Sequence, residues 1–266
     1  MRINRDYIIK NLVLLTLSVV YSNWTVAPMS LSYYLEENTT GTDALWVKNP
    51  TKDTLVVKVT LQDYIKENGQ DQMRPPRTIE RSCASWLFIH PEVIEVLPFQ
   101  NKNIRIDMTV PKDAYGDYWT MLFVEELSKP KVNTAQYGKM SLSVHTKYRW
   151  GVRIKQHVPG SLKRSGKVTS MSHLTDSTEK KVELRFYNDS KLIHSRCTGW
   201  IEIRDEDGET ITKIDIEEFT IYPDDEKIFT VNIMNQLDKG EYSAVGVVDY
   251  GGDHLVGGEI IFVVEN

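Results

Sequence analysis

From Met140 to Val158 the chain alternates apolar and polar residues almost without a break. Met140, Leu142, Val144, Tyr148, Trp150, Val152, Ile154 and Val158 share one parity, interrupted only by Thr146 and Gln156. The other parity carries Ser141, Ser143, His145, Lys147, Arg149, Gly151, Arg153, Lys155 and His157. A period of two residues belongs to a half-buried β-strand. Ordinary strands run about 5–6 residues, whereas this segment, at roughly 3.3 Å per residue, would reach on the order of 60 Å. One small sandwich cannot cover that length with its own core. Either the strand bends, with Gly151 as the expected place, or part of its apolar face is kept for another molecule.

The rest of the chain after residue 28 also reads as strand and turn. Leu55, Val57, Val59 and Leu61 alternate with polar neighbours, as do Ile104, Ile106, Met108 and Val110, and Tyr118 to Leu127 is an aromatic-rich run. Turn signals separate them: Asn49-Pro50, Asn68-Gly69, Pro111-Lys112-Asp113 and Tyr115-Gly116. Short strands punctuated in this way indicate a β-sandwich, and no long 3.6-period stretch competes. After Pro159-Gly160, the polar stretch 161–166 reads as a linker. The pattern then restarts with Val182, Leu184 and Phe186 and closes with Leu255 to Val264. The expected fold is all-β, with two immunoglobulin-like sandwiches in tandem over 28–160 and 167–266.

The two halves echo each other. Each has an early strand ending in Asn, at Asn49 and Asn188, and each has Gly-x-Tyr opening a later strand, at Tyr118 and Tyr242. A Tyr at that place can hydrogen-bond the preceding turn as a corner.

The first 27 residues are set apart. Arg2, Arg5 and Lys10 precede an apolar run, Leu12 to Tyr21, too short to span a bilayer. That is the pattern of a secretory signal peptide, with small residues before a cut at Val20-Tyr21-Ser22 and at Thr25-Val26-Ala27. The expectation is an exported protein of periplasm or cell surface, with no membrane span in the mature chain. The net charge of −5 gives no general bias toward nucleic acid. Cys83 and Cys197 fall one in each half, so a disulfide and two buried thiols both stay open.

No constellation of catalytic residues stands out. The six histidines include no pair at zinc-ligand spacing, and HExxH, CxxC, GxSxG, phosphate loops and dinucleotide fingerprints are all missing. No catalytic, cofactor-binding or metal-binding residue is therefore assigned, no cofactor is expected, and the chain reads as non-enzymatic.

The first half resembles the amino-terminal domain of periplasmic pilus chaperones of the PapD type. The resemblance rests on the early strand ending in Asn49, the Pro98 to Val110 segment, Gly116-Asp117-Tyr118-Trp119 and the long alternating strand. In that family the last strand of the first domain inserts into an incomplete pilin, which is recognition by strand addition. The resemblance implies Met140, Leu142 and Val144 as the inserted apolar residues, and Lys147 and Arg149 as flanking cations, with Arg149 gripping a terminal carboxylate. Ser30 stands where the family's second cation, an Arg, is found, and the segment Arg74 to Trp86 is longer than the family's connection. The ending Val152 to Gly160 is equally similar to PapD-like two-domain surface proteins of WxL-type cell-wall complexes. Two functions follow. One is an exported protein that binds secreted or envelope subunits by strand donation, as a chaperone for pilus or other surface subunits. The other is a structural or adhesive cell-surface protein with its domains as spacers.

Overall fold

The computed structural model describes residues 24–67, 70–127, 131–137, 140–160, 163–175, 180–233 and 237–265, with the backbone alone at 131–137, 140–146 and 175. The first sandwich contains β1 (Thr25–Ala27), β2 (Ser30–Tyr33), β3 (Thr40–Lys48), β4 (Leu55–Glu67), β5 (Gln70–Arg74), β6 (Leu87–His90), β7 (Val93–Val96), β8 (Asn101–Thr109), β9 (Gly116–Glu126), β10 (Lys131–Tyr137), β11 (Met140–Thr146) and β12 (Arg149–Val158). The second contains β13 (Lys167–Thr175), β14 (Lys180–Asn188), β15 (Ser195–Arg204), β16 (Thr210–Ile221), β17 (Asp225–Asn232), β18 (Gly240–Asp249) and β19 (Val256–Val264). A single 3-10 turn, Ala84–Trp86, is the one helical piece among the described residues. The fold is all-β, as the periodicity requires.

In the first sandwich a four-stranded sheet, β1-β3-β8-β6, faces a six-stranded sheet, β2-β12-β9-β4-β5, with β7 paired to β4. The alternating residues Leu45, Val47, Val57, Val59, Ile104, Ile106, Met108, Val152 and Ile154 fill the space between them. In the second, β13-β14-β17 faces β16-β15-β18-β19 around Val182, Leu184, Phe186, Ile201, Ile203 and Phe262. Trp24 and Val26 belong to the first core and β1 pairs with β3. A boundary at residue 27 would therefore cut a strand away from this sandwich. Residues 1–23, which carry the leader pattern, lie outside the described residues.

The run from Met140 to Val158 does not form one strand bent at Gly151. It breaks at Lys147 and Tyr148. β12 pairs with β9 from Arg149↔Glu125 to Val158↔Gly116, and β11 pairs with β10 from Lys131↔Thr146 to Tyr137↔Met140. The first leg carries extra residues between the two ladders, so the register cannot continue across the break. Gly151 serves a different purpose. A Cβ on it would sit 2.9 Å from Met121 Sδ and 3.1 Å from Phe123 Cε1, so its bare backbone lets those two side chains lie across β12. Gln156, which broke the apolar parity, is buried and donates to the carbonyls of Leu35 at 2.7 Å and His157 at 2.8 Å.

β9 explains its own unbroken apolar run. Leu122 and Val124 face the main core, while Trp119, Met121 and Phe123 face outward into a second cluster with Tyr64 and Tyr222. That outer face is covered by the β4–β5 hairpin and the loop after it, the segment that looked too long in sequence. Buried Asp63 anchors the loop: Oδ2 accepts from the Thr78 amide at 2.9 Å, and Oδ1 from the hydroxyls of Ser82 at 2.7 Å and Thr120 at 3.1 Å.

The Asn echo is a shared device. Asn49 Nδ2 donates to the carbonyls of Asp53 and Val96 at 2.8 and 2.9 Å, and Asn188 Nδ2 to those of Ile193 and Tyr222, both at 3.0 Å. Each buried amide thus ties a strand end to two neighbouring segments. The Tyr echo is only half kept. Tyr242 Oη donates to the Asp238 carbonyl at 2.9 Å, whereas Tyr118 lies under the Arg81 guanidinium, 3.9 Å from the ring centre.

Candidate functional site

β12 has β9 on one side along its whole length, but β2 covers only part of the other side. The parallel β2 rungs run from Arg153↔Ser30 to Gln156↔Tyr33, with the Arg153 amide also donating to the Met29 carbonyl at 3.1 Å. Ahead of Met29 the chain crosses to the other sheet, where β1 pairs with β3. Arg149 to Val152 therefore have no strand on that side among the described residues. Amides alternate in direction along a strand. Since Arg153 points its N–H toward β2, Arg149 and Gly151 point theirs out of the same open edge. β11 continues beyond the break with β10 as its one paired strand among the described residues. An edge of unpaired N–H and C=O groups is a template for another strand. Met29, exposed, stands where β2 gives out beside it.

The residues expected to bind a partner fall on this edge in part. Met140, Leu142 and Val144 sit on β11 opposite Tyr137, Ala135 and Asn133, and their side chains lie outside the described residues. Lys147 lies in the break and pairs with Glu125. Arg149 stands opposite Glu125, with its guanidinium 3.3 Å from the Phe123 ring centre and a hydrogen bond to Gln62 Oε1 at 3.0 Å. The bond from Lys147, and then the charges of Lys147 and Arg149, hold the Glu125 carboxyl below its usual range. Both cations thus already have partners within the sheet.

A second group of cations gathers where the sandwiches meet. Arg153 and Lys66 grip the two oxygens of Asp71, each at 2.6 Å. Burial works against ionisation of Asp71, but these two bonds hold its carboxyl below the usual range. Lys155 Nζ lies 5.1 Å from the ring centre of Tyr222, a residue of the second sandwich, and has no ion-pair partner among the described residues. Burial, and then the nearby Arg153, push its pKa down. Beside it a cleft of about 470 Å³ between the sandwiches is lined by Tyr34, Lys155, His157, Arg164, His194 and Arg196. Asp117 and Glu218 also line this cleft, and the charges of Asp117 and Asp71 act on Lys155 in the opposite sense. A partly buried cation with no ion pair at a cleft wall is still a place for an anionic group from outside. In the sequence, Arg153 and Lys155 share the parity of Arg149. Only the docking of the second sandwich over this end of β12 sets them apart.

The seam itself is held by Asp117, where β9 begins. Its Oδ1 lies 2.6 Å from His157 Nδ1, and its Oδ2 lies 2.8 Å from His194 Nδ1 and accepts the His194 amide at 2.5 Å. The Asp117 amide donates to the Leu192 carbonyl at 2.7 Å. Among the described residues no hydroxyl or thiol hydrogen-bonds to either imidazole, so the group ties one sandwich to the other. Cys83 and Cys197 are buried free thiols in separate cores, and no helix among the described residues is long and apolar enough to cross a membrane.

No protein family and no curated protein matches the chain. Among solved structures it is similar to the class 5 fimbriae chaperone CfaA, at 12% identity and TM-score 0.47, covering 92% of this chain and 100% of that one. It is similar to a chain of a chaperone–tip adhesin complex of CFA/I fimbriae biogenesis at 11% identity and TM-score 0.48, covering 91% and 98%. A chain of the CsuC–CsuE chaperone–tip adhesion subunit pre-assembly complex, from archaic chaperone-usher Csu pili of Acinetobacter baumannii, is similar at 12% identity and TM-score 0.43, covering 90% and 98%. These neighbours are of the pilus-chaperone kind that the sequence resembles. At such identities and scores the likeness is one of overall course alone.

Proposed function

We propose that this chain is an exported, non-enzymatic, PapD-like protein that binds segments of secreted or envelope subunits by strand addition, as a chaperone for pilus or other surface subunits. The observation that carries the reading is the open edge of β12 at Arg149 to Val152, continued by β11. In this reading Met140, Leu142 and Val144 supply apolar side chains to the partner. Lys155, with Arg164 in the adjoining cleft, receives an anionic group of the partner such as a terminal carboxylate, in place of Arg149. The protein works in the periplasm or at the cell surface. Its leader ends ahead of Trp24, so that β1 stays with the first sandwich, and the two units divide within 161–166.

The test is amide hydrogen exchange on the protein bound to subunits taken from its native envelope. Slowed exchange at Arg149 and Gly151 on binding supports strand addition. A bound subunit that leaves both amides exchanging as fast as in the free protein removes the reading. It would favour the spacer role instead.

A further inference from the structure

We infer that the seam between the sandwiches is an acid-sensitive joint, built on Asp117, His157 and His194, which lets the second sandwich part from the first at mildly acidic pH while each keeps its fold. This goes beyond the partner-binding reading and does not rest on it.

Asp117 makes three hydrogen bonds across the seam, beside the Tyr64–Tyr222 hydroxyl pair. Asp117 holds the His194 imidazole and amide through one oxygen and His157 of its own sandwich through the other, at 2.5 to 2.8 Å. His194 is wedged between two rings, with centroids 5.0 Å from Trp119 and 4.2 Å from Tyr222. Its Nε2 is buried and has no hydrogen-bond partner among the described residues. With Nδ1–H on Asp117, Nε2 of a neutral ring is a bare lone pair, which aromatic surroundings tolerate. A proton there would create a buried N–H with no acceptor.

The charges facing His194 come from several elements. Asp117 on β9 pulls toward protonation, while Lys155 on β12 and Arg81 in the loop after β5 oppose it. His157, Arg164, Arg196 and Glu218 line the adjoining cleft. Burial outweighs the pull of Asp117 and holds His194 below its ordinary pKa. When the seam opens, the ring reaches water and its pKa returns to about 6.5. The open form then binds a proton that the closed form does not. Closure is therefore complete above about pH 6.5 and weakens as pH falls below it. Asp117 acts in the same direction at lower pH. Its burial is outweighed by its bonds to His194 and His157, and its carboxyl is held below the usual range. Neither main core reaches across the seam. The outer aromatic cluster does, through Tyr222, so parting exposes Tyr64, Trp119 and Tyr222 and leaves both main cores packed.

The experiment is small-angle X-ray scattering of the whole chain between pH 8 and 5, beside far-ultraviolet circular dichroism and an NMR titration of the His194 ring. The radius of gyration is expected to rise below about pH 6.5 with the β-sheet signal unchanged and the His194 titration sharing its midpoint. His194→Gln keeps a donor for Asp117 and takes up no proton, so its dimensions are expected to stay flat over the same range. Constant dimensions in the native chain, a His194 titration separate from the expansion, or an unchanged midpoint in the variant would each overturn the joint. If His194→Gln is already expanded at pH 8, the native chain decides: a shared midpoint supports the joint and separate midpoints overturn it.

Discussion

The hydroxyls of Tyr64 and Tyr222 lie 2.6 Å apart, one from each sandwich, in an aromatic cluster outside both main cores. Replacing either by Phe leaves the other hydroxyl buried without a partner, at about 1–2 kcal/mol. Replacing both removes donor and acceptor together, and the double variant is expected to lose no more than either single one. Urea denaturation of the three variants measures the difference. Additive losses would mean that the two hydroxyls do not depend on each other.

Asp63 holds the loop after β5 against the first sandwich. Asp63→Ala strands the Thr78 amide and the Ser82 hydroxyl, while Thr120 keeps the Gln62 carbonyl, and is expected to cost about 2–3 kcal/mol. Asp63→Asn keeps one acceptor oxygen and costs less. Limited proteolysis would show new cleavage in 75–83 for the alanine variant, and resistance there would refute the anchoring role.

A side chain at Gly151 collides with Met121 and Phe123. Gly151→Val is expected to destabilise by about 1–3 kcal/mol, and Gly151→Ala by less because the Met121 thioether can shift. Thermal melts rank the two. A neutral result for Val would mean that the outer cluster is looser than its packing indicates.

Lys155 is the cation assigned to the partner's anionic end. Lys155→Met keeps the apolar stem and is expected to weaken a carboxylate-ended partner by on the order of tenfold or more, the worth of about 1.5–3 kcal/mol for a charged hydrogen bond. A partner capped as an amide should bind the native and variant proteins alike. Calorimetry with both partner forms decides, and an equal loss for the two would remove the carboxylate role.

The thiols are expected to stay silent. Burial pushes Cys197 up to about 12 and raises Cys83 as well, so both remain protonated and unreactive near neutral pH. A thiol reagent should modify neither residue in the folded protein and both after denaturation. A disulfide on a non-reducing gel would contradict the separate cores.

Alternation along the chain determined the all-β class and the parity of core strands such as β4, β8 and β12, because a strand's side chains face opposite sides whatever it pairs with. It could not show that the long run breaks at Lys147, since the break is set by the number of residues on the opposite leg of the hairpin. It could not say which of Arg149, Arg153 and Lys155 faces an open cleft, because all three share one face. Nor could it explain Asp117 and the two histidines, which lie 40 and 77 residues away from it. Those answers belong to tertiary structure. Burial, edge exposure and charge neighbourhoods depend on where the second sandwich docks, and no local pattern encodes that contact.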